Sequence, residues 1–89
     1  MLLGLGLKIL LAAAAVGTVA AIVVYVKGSI NRSKLQQKAQ AQNINKFIIK
    51  EIDRCNNVVK FEDMYSDKEV EVRGDDVDWD IDEGDIIYA

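Results

Sequence analysis

The side chains most able to do chemistry lie near the C-terminus, where Asp75, Asp76, Asp78, Asp80, Asp82, Glu83 and Asp85 crowd into eleven positions. Carboxylate oxygens at alternating positions are what a hard cation such as calcium takes as ligands. A calcium loop also needs Gly at its sixth position and Glu at its twelfth. Counted from Asp76 these are Ile81 and Ile87, and counted from Asp78 they are Glu83 and Ala89. The template is not met, so the run reads as a solvated acidic loop or a surface for a basic partner, and no metal or other cofactor is expected. Trp79 stands among the acids with Val77 and Ile81 beside it. Such an aromatic more commonly plugs one end of a small sheet, but it can also anchor a partner. Asp76, Asp78, Trp79 and Asp80 are therefore the candidate partner contacts.

The remaining reactive inventory is thin. The chain has no histidine and a single cysteine, Cys55, which removes the commonest general base and leaves a lone thiol with nothing to activate it. No disulfide framework and no zinc site can be built. Arg73-Gly74-Asp75 spells an integrin tripeptide, yet Gly-Asp at the end of a strand is ordinary turn chemistry. No catalytic residue is assigned, and the expected mode of action is binding rather than catalysis.

Charge is strongly polarised. The whole chain of 89 residues carries a net charge of -3, but residues 1–50 contain no acid and carry +7, whereas residues 51–89 carry -10. An acidic half of this strength argues against nucleic acid as a partner. A basic stretch followed by an acidic domain suits a chain whose first part lies against anionic headgroups.

From Ile9 to Val26 eighteen residues pass without a charge, and Leu2 to Leu7 extend the run beyond Lys8. A helix of about twenty apolar residues spans the hydrocarbon core of a bilayer, so residues 1–27 are expected to form a transmembrane helix with the lipid bilayer as its first partner. The apolar run is too long and its start too poor in basic residues for a cleaved signal peptide. Lys27, Arg32, Lys34 and Lys38 outnumber Lys8 on the opposite flank, which by the positive-inside rule makes this a single-pass membrane protein with a cytoplasmic C-terminal domain. Ala13, Gly17 and Ala21 are spaced by four and would share one helix face, where a second copy can approach to form a homo-oligomer; in so alanine-rich a segment the same spacing also reads as plain lipid-facing filler.

Residues 28–43 hold no proline and mostly good helix formers after Ser33. The expectation is a polar helical stalk, capped by Asn31 or Ser33 and running to about Gln42. In layout, an apolar helix, a more polar helix and then a small sheet is similar to type IV pilin-like subunits. That resemblance implies a structural subunit of a filament, although no acid stands near the start of the apolar helix and no basic leader precedes it.

Residues 44–89 change to β-branched and aromatic runs broken by turn residues. Strands are expected over 46–54, 58–63, 68–73 and 85–88, with turns at Asn56-Asn57 and Tyr65-Ser66-Asp67. The inward residues would be Ile48, Ile52, Val59, Phe61, Val70, Val72, Ile86 and Tyr88. The closing Asp82-Glu83-Gly84-Asp85-Ile86-Ile87 resembles the entry of SH3-like or OB-like barrels into their final strand. The fold class is thus α+β: a transmembrane helix, a helical stalk and a small acidic antiparallel meander of three to four strands. The function expected of it is that of a membrane-anchored tether, adaptor or regulatory subunit for an unknown protein partner. Next to it stand the pilin-like subunit and a bilayer-active toxin or phage lysis factor that would need only the helix.

Overall fold

Valine alternates with charge in Glu69-Val70-Glu71-Val72-Arg73, so one side of an extended chain is apolar and the other wet. The fold grows around that strand. In the computed structural model, which describes residues 21–89, the elements run β1 (Ile22–Tyr25), β2 (Ser29–Ile30), α1 (Arg32–Ala41), β3 (Lys46–Asp53), β4 (Val58–Asp63), β5 (Glu69–Arg73), β6 (Asp76–Val77) and β7 (Ile86–Tyr88). Five strands form one sheet in the order β1-β5-β4-β3-β7, and β2 pairs with β6 in a short second ladder. The β3, β4, β5 and β7 contacts are antiparallel, while β1 lies parallel to β5. Phe47, Ile49, Val59, Phe61, Val70, Val72 and Ile87 turn to one face and are buried there with Leu35 and Ala39 of α1, Ile44, Ile30, Val77 and Ile81. The Phe47 and Phe61 rings meet at the centre, 4.3 Å apart. The opposite face carries ion pairs instead, with Lys50 to Glu62 at 3.6 Å and Lys60 to Glu51 at 3.5 Å.

The expected helix over 1–27 is corrected where it meets the described residues. Ile22-Val23-Val24-Tyr25 is a strand registered against Val70 to Arg73. Four β-branched and aromatic residues in succession favour a strand once a partner strand is at hand, and a short apolar run carries no period that separates strand from helix. No helix among the described residues is long and apolar enough to cross a membrane. That corrects the single-pass membrane placement and the cytoplasmic orientation drawn from it. Lys8, Ala13 and Gly17 lie outside the described residues, and Ala21 directly precedes β1.

The polar stalk is corrected too. A helix does form, but α1 has ten residues, about 15 Å at 1.5 Å per residue. Leu35 and Ala39, one turn apart, are fully buried against the sheet, so α1 belongs to the core. Its start is fixed by the Asn31 side chain, which accepts from the Lys34 backbone N–H at 2.9 Å. Its end is a Schellman turn. Asn43 takes the left-handed conformation (φ 60°), and the N–H groups of Asn43 and Ile44 return to the carbonyls of Gln40 and Ala39. Ile44, just past the turn, buries against the same core.

The sheet likewise departs from a simple meander. The final strand β7 does not follow β5 into the sheet but pairs with β3, because β1 already occupies the free edge of β5. The phase of two strands is also inverted from expectation. Ile48 is only half-buried, Ile86 is 49% and Tyr88 66% exposed, and the inward residues are Phe47, Ile49 and Ile87. Phe47-Ile48-Ile49 and Ile86-Ile87-Tyr88 are apolar at every position, so alternation cannot choose a face, and a one-residue shift turns every side chain over. A bulge between Ile49 and Glu51 then restores Ile52 to the inner side, opposite Val59.

Candidate functional site: the acidic loop and its exposed tryptophan

After β5 the chain crosses closely beneath the β1–β2 turn. A Cβ on Gly74 would stand 2.8 Å from Ile30 Cγ1, 2.9 Å from Val26 Cγ2 and 3.0 Å from the Gly28 carbonyl oxygen, so only glycine lets the two segments pass. The chain pairs briefly as β6 and then runs from Asp78 to Asp85 past the end of β3 before entering β7. Two apolar side chains in this stretch, Val77 and Ile81, insert into the core.

The rest of the loop is tied by charged groups. Asp75 Oδ2 accepts from the Gly28 N–H at 2.9 Å. Asp80 Oδ2 accepts from the Arg32 N–H at 3.3 Å, at the first residue of α1, where a negative charge also suits the helix dipole. Glu83 Oε2 accepts from the Ile52 N–H at 2.9 Å, next to the bulge, and Asp85 Oδ2 accepts from the Asp82 N–H and stands 3.9 Å from the Arg32 guanidinium. Asp78 Oδ1 takes the Trp79 N–H. Most of the acidic run therefore serves as hooks for backbone amides that no ladder satisfies. Among the described residues no three acids converge as a metal site.

Arg54, directly after β3, holds the loop from the other side. Its Nη1 donates to the carbonyls of Val77 and Asp78, both at 3.0 Å, and its Nη2 to that of Ile81 at 3.4 Å. The same guanidinium stacks over the Trp79 ring, 3.7 Å from its centroid. Trp79 does not plug the sheet: it is 79% exposed, lying on a cation whose own hydrogen bonds fix its position. Ile52, Arg54, Trp79, Asp82 and Glu83 together line an open groove.

The candidate contacts Asp76, Asp78, Trp79 and Asp80 thus share one loop, but their roles divide. Asp80 is engaged with α1, Asp76 makes only a 3.4 Å contact with the Ser29 hydroxyl, and Trp79 faces solvent. The four basic residues that follow the apolar run fall on the β1–β2 turn and on α1. Lys27 lies in the β1–β2 turn, its carbonyl accepting from Lys34 Nζ at 3.2 Å, and Arg32, Lys34 and Lys38 sit along α1. Arg54 had no signal in the sequence, since its partners lie 23 to 27 positions downstream and are carbonyls, which every residue possesses.

One further group of titratable residues lies at the β3–β4 turn. Asp53 accepts from the Asn56 side-chain amide at 2.8 Å and from the backbone N–H groups of Cys55 and Asn56. These bonds, the Asn56 side chain first, hold its carboxyl below the ordinary carboxylate range. On the outer face Lys46 sits over the Tyr88 ring, 4.9 Å from its centroid, and its bond with Tyr88 raises its pKa. Compared with protein-family models, with curated proteins and with solved structures, the chain matches none.

Proposed function

We propose that this chain acts by binding, as an adaptor or regulatory subunit, and that Trp79 on its Arg54 brace is the anchor for a basic segment of a partner protein. The observation that carries this is the pairing of exposure with rigidity: a tryptophan 79% exposed, held by a guanidinium that is itself bonded to three loop carbonyls. Tryptophan is the residue type most enriched among binding hot spots, and a ring already fixed in place loses little freedom on docking. Asp82 and Glu83 line the groove with it, Asp78 adjoins it, and all three belong to the half of the chain that carries -10, which favours lysine- and arginine-bearing partners and rejects acidic ones. The groove beside the ring, floored by Ile52, gives the aliphatic stem of such a side chain an apolar surface.

The test is fluorescence polarisation of the full chain against an array of labelled peptides, half bearing lysine and arginine and half bearing aspartate and glutamate. Saturable binding is expected within the basic set, weaker at higher salt, and reduced at least about tenfold by Trp79→Ala. Failure of every basic peptide to saturate at millimolar concentration, or undiminished binding by Trp79→Ala, overturns the proposal.

A further inference from the structure

The two edges of the sheet are finished differently. At β7 the outward carbonyl of Tyr88 is taken by the Gln36 side chain of α1 at 2.9 Å. At β1 no such cover exists among the described residues. The Val26 N–H reaches the Arg73 carbonyl at 2.8 Å, which fixes the phase of the parallel ladder: Ile22, Val24 and Val26 turn their backbone groups to β5. Val23 and Tyr25 turn theirs to the open edge. Burial is incomplete on both faces of this strand. Val23 is 46% and Tyr25 72% exposed on the outer face, while Ile22 and Val24 lie half-buried at the margin of the core. Natural edge strands are guarded by charge, proline or a bulge, and Ile22-Val23-Val24-Tyr25 has none of these.

We propose that β1 is a dimerisation edge, pairing antiparallel with β1 of a second copy about a two-fold axis at Val24. The proposal does not rest on the Trp79 reading. The strand is self-complementary in that arrangement. Val23 of one copy faces Tyr25 of the other as a hydrogen-bonded pair in both halves, so all four open N–H and carbonyl pairs are satisfied and each valine packs against a tyrosine ring. The charges of β5 agree with the same axis. Glu71 lies beside Val23 and Arg73 beside Tyr25, and the two are ion-paired within β5, so in the two rows through Val23 and Tyr25 an arginine of one copy and a glutamate of the other flank the joined β1 strands. Parallel pairing of two such edges has no two-fold axis in this position and would set like charges in the same row. The joined structure is a continuous ten-stranded sheet, with Val24 of the two copies adjacent at a non-hydrogen-bonded position.

Two measurements on the full chain test this. The protein should sediment at twice its chain mass in the micromolar range, and Val23→Lys with Tyr25→Lys should reduce it to a monomer with unchanged circular dichroism, since both side chains are exposed. In a Cys55→Ser background, Val24→Cys should give a disulfide-linked dimer on mild oxidation, whereas Tyr65→Cys, at a turn away from β1, should not. A wild-type chain that is monomeric throughout, or a dimer that survives the double lysine substitution, overturns the proposal. So does a monomer in which the Val23 and Tyr25 amides are protected from exchange, because residues 1–20 of the same chain would then cover the edge. Peptide binding at Trp79 is read separately and is not altered by any of these outcomes.

Discussion

Between β3 and β5 the chain is held by apolar burial, and between Gly74 and Asp85 it is held by charged side chains gripping backbone. In the first region Phe47, Val59, Phe61, Val70 and Val72 have no exposed surface at all. In the second only Val77 and Ile81 are buried, and the chain path is set by Asp75, Asp80, Glu83, Asp85 and Arg54. Burial of large side chains is felt by the whole domain, because removing one leaves a cavity that every neighbour shares. A carboxylate on a surface amide is local and screened by salt and acid. The domain therefore has a cooperative core and a separately secured loop, and the exposed tryptophan sits on the loop.

The contrast is broken most severely from the core side. Phe61→Ala is expected to cost about 3–5 kcal/mol, a large share of the roughly 5–15 kcal/mol typical of a domain. In urea, Trp79 emission and far-ultraviolet circular dichroism should then report the same lowered midpoint. Separate midpoints would show that the loop does not depend on the core.

Arg54→Lys sharpens the contrast from the loop side. A single ammonium cannot reach three carbonyls and stack a ring as the planar guanidinium does, so global stability should fall by only about 1 kcal/mol. Amide exchange over 77–82 should nevertheless accelerate while β4 keeps its protection, and acrylamide should quench Trp79 more strongly. Equal acceleration in β4 would mean that the two regions are one unit.

The smallest effect is expected at the β3–β4 turn. Because the folded pKa of Asp53 is depressed, the unfolded chain binds the proton more readily. The resulting stability is present above the ordinary carboxylate range, near 3.9, and is lost as the pH falls through the lower folded value. Asp53→Asn should therefore flatten the acid limb of the stability curve slightly and leave neutral-pH behaviour of the Trp79 loop untouched. An acid limb identical to that of the parent chain would assign the loss to other carboxylates.

Much of the sheet could be read directly from residue types. Glu69-Val70-Glu71-Val72-Arg73 names its own face, Val58 to Asp63 lies between two recognisable turns, and Asn57 adopts the positive φ (57°) that its type permits. The site was marked only in part, by the acidic run and the tryptophan within it. Trp79 is equally compatible with a plug and an anchor until its environment is known, and Arg54 acts on carbonyls that carry no side-chain identity.

What the sequence determined by itself was local: where four of the extended runs and their turns fall between residues 46 and 88, that a helix starts at Asn31 or Ser33, and that the chain has no histidine and a single cysteine. What only the tertiary structure decided was which side of each apolar run is buried, that Ile22–Tyr25 joins β5 as an edge strand, and that a short helix covers the sheet. The reason is physical. Phe47-Ile48-Ile49 and Ile22-Val23-Val24-Tyr25 are apolar at every position and fit several environments equally well, and their faces and partners are fixed only by the register of strands distant in sequence.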